Sequence, residues 1–492
     1  MGSSKRRSNT KQYNGSNSNV YNAVSIKATF ALKTYTISYN VNGGTGTVAS
    51  QTKTHGTDLT LTSSKPTKNG YTFLGWSTSK TATSATYTSG GIFTTNANTT
   101  LYAVWKERIV NTDTSGANAP VLTAGLIPVN WDGSNWVETT EENWEYNYNS
   151  VAQATQTTVT GNKDGAWANA QTADGSLYVW IPRYTYKITS GEHSNGNSWN
   201  SLDNSGTNKI EIKFSNGTTD DTSNSYKKHP AFTFGTDELK GIWVAKYEAS
   251  QGNTTSTVNK PTSSSYVAQF KPEVSSWRDI SVSLMYEYAY NTFRNADSHL
   301  MRNSEWGAVA YLTNAIGRIP YINNNSNNIT GIAGDTQNAS SSTSTANKWN
   351  TAKGVKASTT HNVYGIYDMS GGALEYVSAY YTGGDSQYLS SDTSNKAYAG
   401  VLYTNRDTKY VETYDTVYTS TKTGDAVYET SSISGGAASW DADFSTTPYS
   451  VYPVFLRGGL YSNDSSAGVF YFNHYDGDDS SYDGFRAALS IK

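Results

Sequence analysis

Apolar and polar residues alternate most clearly near the start of the chain. Tyr35, Ile37, Tyr39 and Val41 take one set of positions, and Thr36, Ser38 and Asn40 the other. A period of two sends successive side chains to opposite faces, so this stretch predicts a half-buried strand. Asn42-Gly43-Gly44 follows, with residues that accept positive φ, and predicts a turn. Further short strands are expected around Leu59 and Leu61, at Tyr71–Trp76 after the Lys65–Gly70 turn, and at Thr100–Trp105. In the remainder, Leu177–Ile188 reads as a strand interrupted at Pro182, and Gly241–Glu248 as another. Two stretches have helical spacing instead. Ile280, Leu284 and Tyr288 recur at i, i+4, i+8 within 280–292, and Trp306, Val309, Ala310 and Thr313 at i, i+3, i+4, i+7 within 304–316. Asn303 or Ser304 can cap the second helix and Gly317 can stop it. Residues 1–18 are polar throughout, 320–353 is a low-complexity Asn/Ser/Thr run expected as an exposed insertion, and 382–447 is similar but rich enough in Tyr and Val to hold a hairpin or two.

Composition narrows the classes. At 492 residues the chain has room for two to four domains. A net charge of −3 with 16% charged residues argues against nucleic acid as a partner. Cysteine is absent, which excludes a disulfide framework, a zinc finger and a thiol nucleophile. The 38 tyrosines, among abundant Ser, Gly and Asn, suit recognition surfaces and loop-rich extracellular β proteins alike. No run of 18 apolar residues is present, and Met1-Gly-Ser-Ser-Lys-Arg-Arg lacks an apolar stretch behind its charges, so neither membrane insertion nor a secretory signal is expected in this chain. The opening resembles vector-derived residues, which leaves open whether an export or anchor segment precedes it.

Two resemblances add to this reading. The Tyr35–Gly44 strand and turn, Gly70-Tyr-Thr-Phe-Leu-Gly-Trp76 and Leu101-Tyr-Ala-Val-Trp105 resemble the Listeria–Bacteroides repeat, also seen as the internalin B repeat. The resemblance implies a small β-rich stalk module at 35–106, and Val24–Phe30 looks like the closing strand of a truncated preceding copy. Farther on, Gly365-Ile-Tyr-Asp-Met-Ser-Gly-Gly-Ala-Leu-Glu-Tyr-Val377, Trp306-Gly-Ala-Val-Ala-Tyr-Leu-Thr-Asn314, Arg457-Gly-Gly459 and Gly484-Phe-Arg486 resemble, in order, motifs of the formylglycine-generating-enzyme family. That resemblance implies an α+β, C-type lectin-like domain with two helices and short antiparallel strands over 121–492, after a tail at 1–34, the repeat at 35–106 and a linker at 107–120.

Active members of that family use a pair of their own cysteines with copper, and a related branch uses iron in an added His-rich domain. This chain has no cysteine, and its six histidines (His55, His193, His229, His299, His361, His474) are scattered without H-x-x-x-H spacing. They are expected at the surface or satisfied in the core. Glu375 is expected to be core scaffold, hydrogen-bonded to backbone, rather than a catalytic carboxylate. No enzyme activity is expected.

The segment between the last two motifs resembles the variable region of proteins diversified by retroelements, which mutate adenines and turn AAY codons into NNY. Those codons never encode Lys, Glu, Gln, Met or Trp, and residues 460–483 contain none of these. On this reading Ala467–Phe472 is a fixed strand. The varied, solvent-facing positions are Leu460, Asn463, Asp464, His474, Tyr475, Asp476, Asp478, Asp479, Ser481, Tyr482 and Asp483, with Tyr475 and Tyr482 as aromatic anchors and the Asp residues selecting a basic or hydroxyl-rich ligand. The Asp spacing does not complete a D-x-D-x-D-G calcium loop. No cofactor is expected, with a structural calcium ion left open.

The resulting expectation is a non-catalytic binding protein, an adhesin or receptor-binding protein on a bacterial surface or a phage virion, whose partner is a protein or glycan of a target surface. A homotrimer is left open. The alternatives are a metal-dependent oxidase or hydrolase derived from the same fold, and a structural spike or pilus tip.

Overall fold

The computed structural model describes residues 31–68, 71–107, 113, 115–148, 165–190, 209–252, 267–334, 347–389, 399–417, 419, 421–431 and 437–492. The expected tail at 1–18, the Val24–Phe30 strand, His193, and parts of the 107–120 linker and of the 320–353 and 382–447 stretches lie outside these residues. The chain divides into two compact units, with the cut at Trp105–Lys106 and residues 70–72 assigned to the larger one.

In the smaller unit the strand predicted from Tyr35 spans Thr34–Asn40. Its sheet runs in the order Gln51–Thr54, Thr34–Asn40, Thr99–Glu107, Tyr71–Ser77, with the first pair antiparallel and the second parallel. Asn42 and Gly43 take positive φ (47° and 82°) in the turn read from the sequence. A side chain at Gly44 would collide with the Trp105 ring, so glycine is needed there for space as well.

The larger unit is organised around two seven-stranded sheets. The first is ordered His299–Leu300, Ala487–Leu489, Gly241–Ala245, Leu177–Pro182, Asn169–Gln171, Ile127–Trp131, Trp136–Glu138. The second runs Glu412–Tyr414, Leu374–Tyr381, Val454–Gly458, Gly468–Tyr475, Phe444–Ser445, Ala437–Ala438, with Asp483–Gly484 added beside Leu374–Tyr381. Four α-helices occur among the described residues: α1 (Val282–Thr292), α2 (Asn303–Ala315), α3 (Ser386–Leu389) and α4 (Gly400–Thr404). Arg302 precedes α2, its backbone N–H donating to Glu305 Oε2 at 2.8 Å, and Gly317 ends the helix region at φ 67°.

The expectation of an α+β, C-type lectin-like fold is corrected. The described residues are mostly β, with 33% strand against 14% helix and many separate sheets. The physical reason lies in the composition. Ser, Thr, Asn and Gly disfavour helix interiors, while Tyr, Trp, Thr and Val favour strands, so the two amphipathic helices are outweighed by short strands that each bury one or both faces.

Candidate binding surface

The segment after Val454–Gly458 is anchored from below by one indole. Trp306, on α2, is fully buried. The Arg457 and Arg486 guanidinium carbons sit 5.6 and 5.8 Å from its ring centroid, and its Nε1 donates to the Val469 carbonyl at 2.8 Å. The last two motifs and the middle of the segment between them therefore meet at one side chain. Gly458 and Gly459 both have φ near +80°, turning the chain sharply off the strand. A Cβ at Gly458 would press on the indole at 3.2 Å, and one at Gly459 would clash with Ala467. This explains why Arg457 is followed by two glycines.

Each arginine is held on its other edges. Arg457 donates to Asn303 Oδ1 (3.2 Å) and to the carbonyls of Asp425 and Ala426 (both 3.3 Å). Arg486 donates through Nε to Glu375 Oε2 at 2.7 Å, through Nη2 to the other Glu375 oxygen, and to the Ala245 carbonyl at 3.1 Å. Glu375 is scaffold, but its partner is this guanidinium rather than the backbone, which corrects the sequence expectation. Asp368 and Glu248 are buried nearby. Burial pushes Asp368 up to about 6 and raises Glu248 well above the carboxylate range, with Asp368 and Glu375 as like charges adding to the latter shift.

Between these anchors, Ala467–Phe472 is buried and forms most of the strand Gly468–Tyr475. Asp443 lies against its start, accepting from the Phe470 N–H at 2.8 Å, and a Cβ on Gly468 would stand 2.1 Å from the Asp443 carboxylate. The sequence-predicted positions fall outside this buried core in all but one case. Tyr475, Ser481, Tyr482 and Asp464 are exposed, and Leu460, Asn463, His474, Asp476, Asp478 and Asp479 are half-buried. Asp483 is the exception. It is 2% exposed, in the strand paired with Leu374–Glu375, and burial together with the Asp476 charge pushes it up to about 7. It belongs to the frame and not to the surface, because pairing with Leu374 carries it into the sheet.

The structure brings two residues to this surface that sequence reasoning missed. Tyr449 and Tyr452 lie outside 460–483, yet their rings meet the segment. Tyr452 stacks on His474 (5.4 Å, 10°) and on Tyr475 (5.7 Å, 5°), and Tyr449 meets His474 edge-on at 4.9 Å. The signal was present in Pro448-Tyr-Ser-Val-Tyr-Pro453, two tyrosines fenced by prolines. Among the described residues of the larger unit, the exposed large hydrophobic side chains are Val137, Val267, Tyr449, Tyr475 and Tyr482, and three of these are tyrosines of this region. That concentration makes this region the candidate binding surface.

The remaining described histidines are structural. His55 bonds the Tyr35 hydroxyl at 2.9 Å, and burial takes His229 down to about 3 and His361 to about 4. His299 bonds Glu305 at 3.0 Å, and there Arg302 and His299 outweigh burial to hold the Glu305 carboxyl at about 2. Among the described residues, no group of three or more His, Asp or Glu side chains is arranged to hold a metal ion. No described helix is long and apolar enough to cross a membrane.

Residues 35–104 match the family model of the Listeria-Bacteroides repeat domain. Repeats of this family occur in extracellular and surface proteins. No match to the chain was found among curated proteins.

Proposed function

We propose that the protein is a non-catalytic ligand-binding protein of an extracellular surface, bacterial or viral, in which the repeat module is a stalk and the segment between Arg457 and Arg486 is varied by a diversity-generating retroelement. The observation that carries this reading is the division within that segment. Its two ends and its centre are tied to Trp306, while polar and aromatic side chains between those ties face outward. The resemblance of the Arg457, Arg486 and Gly365–Val377 motifs to the formylglycine-generating-enzyme family, several of whose relatives carry diversified segments, supports the same reading, as does the NNY-compatible content of 460–483. The ligand is a protein or glycan on a target surface.

Two experiments test it. Asn463, Asp464, Tyr475, Asp476, Ser481 and Tyr482 are changed together to Ala in the full chain, and binding to target cells is measured by flow cytometry. Loss of binding with a cooperative thermal transition retained is expected, and undiminished binding would overturn the assignment. Sequencing the locus is expected to reveal a reverse transcriptase and a near-copy of the DNA for 457–486 that differs only at adenines. A locus with neither removes the retroelement.

A further inference from the structure

The two tyrosines that sequence reasoning missed change what the surface can bind. We infer that the turn Tyr449–Tyr452 and the end of the strand Gly468–Tyr475 together form a cation-binding aromatic site, fitted to an arginine or lysine side chain of a protein partner. The inference names the ligand class of the surface proposed above and rests on that reading.

The turn is rigid. The Tyr449 N–H donates to the Tyr452 carbonyl and the Tyr452 N–H to the Tyr449 carbonyl, both at 3.1 Å, and Pro448 and Pro453 flank them. His474, Tyr452 and Tyr475 lie nearly parallel, and Tyr449 stands across them. Tyr449 is 44% and Tyr475 37% exposed, so these rings are held in place by one another while remaining open to a ligand. Elsewhere the protein covers ring faces with its own cations. Lys246 sits 4.9 Å from the Trp136 ring and Arg406 4.3 Å from that of Tyr403. Among the described residues no such cation stands over Tyr449, Tyr452 or Tyr475.

Charge decides between a cation and a neutral sugar, both of which stack on tyrosine. Residues 458–485 contain Asp464, Asp476, Asp478, Asp479 and Asp483 and no Lys or Arg. Burial first, then the charges of Asp476, Asp483 and Asp478, raise the Tyr475 phenol, so those carboxylates act at the ring itself. Asp385 approaches from a neighbouring turn, its N–H donating to the Ser450 carbonyl at 2.7 Å. Asp385 and Asp476 form no ion pair among the described residues. Burial lowers the His474 pKa and so disfavours a positive charge on its ring. The described cation on the flank, Arg278, is turned to the Ser481 carbonyl. Partly exposed tyrosine rings beside the Asp385 and Asp476 carboxylates favour a guanidinium or ammonium group.

The test uses the full chain and fluorescence anisotropy with three labelled probes: hexa-arginine, hexa-citrulline and maltohexaose. Hexa-arginine is expected to bind at least tenfold more tightly than hexa-citrulline, with affinity falling as salt rises. Tyr452→Ala is expected to weaken it about tenfold and Tyr452→Phe less than twofold, with Asp476→Asn in between. Tyr475→Ser, at the exposed end, gives a second ring deletion should Tyr452→Ala alter the thermal transition. Equal binding of the citrulline peptide, tighter binding of maltohexaose, or an arginine affinity untouched by both ring deletions overturns the inference. If the alanine-reset surface loses its target cells while hexa-arginine fails to bind, only the cation assignment falls. If hexa-arginine binds this site and the reset surface keeps its target cells, the functional reading falls and the cation site stands.

Discussion

Among residues 31–105 the core consists of Ile37, Leu61, Trp76, Phe93, Leu101 and Ala103, and the one buried charge, Lys53, gives its ammonium to the Thr57 carbonyl at 2.7 Å and to Asn96 at 3.0 Å. The larger unit also has an apolar core, but it buries Arg183, Lys246, Glu248, Arg302, Glu305, Asp368, Glu375, Asp425, Glu429, Asp443, Arg457, Asp483 and Arg486. The first unit is held by non-directional burial along a short chain. The second adds directional pairs between residues far apart in sequence, such as Arg486 with Glu375, each of which must be matched or left as an uncompensated charge. The contrast teaches where each unit is fragile: the small one to lost volume, the large one to lost partners.

The sharpest way to break that comparison is to remove one partner on each side. Arg486→Met strands the Glu375 carboxylate beside Asp368 and Glu248, and is expected to destabilise the larger unit by about 3–5 kcal/mol, with denaturant unfolding as the measurement. Trp76→Ala is expected to cost the smaller unit about 3–5 kcal/mol by leaving a cavity, while Lys53→Met there costs less than a third of that. If Lys53→Met proved as damaging as Arg486→Met, the distinction would collapse.

Acidity sharpens it next. Burial raises Asp483 to about 7, so the folded state holds this proton more tightly than the unfolded chain does. Its stabilising contribution is complete below the unfolded value near 4 and is lost as pH rises through 7. Asp483→Asn is therefore expected to stabilise the larger unit at pH 8 relative to pH 4, compared with the parent, by on the order of 2–4 kcal/mol. A single-site variant is needed because the buried neutral His229 and His361 act in the opposite sense, losing stability as pH falls below about 6.5. Thermal melts of parent and variant across pH 4–8 check this, and parallel profiles would refute it.

A smaller effect separates crowding from backbone strain. Gly468→Ala forces a methyl into the Asp443 carboxylate and is expected to cost about 1–3 kcal/mol. Gly56→Ala in the small unit meets open space at φ 75° and is expected to cost about 1 kcal/mol. The smallest effect belongs to the surface. Ser481→Ala is expected to move stability by no more than about 0.5 kcal/mol, read by the same melts.

The sequence revealed the two units unequally, for the same reason. Tyr35–Val41 declares its strand by alternation and its turn by Asn42-Gly43, both local signals, and the strand Thr34–Asn40 follows them. The helices α1 and α2 were legible from their spacing, but the balance of the larger unit was not, because pairs such as Glu375 with Arg457 across strands are set by sheet register rather than by anything within ten residues. At the surface, Tyr475 and Tyr482 could be named from residue type and position, and both are exposed. Asp483 was misplaced because its burial depends on pairing with Leu374, and Tyr449 and Tyr452 were missed because their nearness to His474 is purely spatial.

Trp306 sets what can happen to the chain above it over evolutionary time. Three attachments converge on one indole, at Arg457, Val469 and Arg486, so the intervening residues resemble cable strung between fixed pylons. Substitutions along the spans leave the pylons standing. Surface chemistry at Tyr475 or Asp476 can therefore change without the fold being rebuilt, and the tolerance for such change is stored in a fully buried side chain.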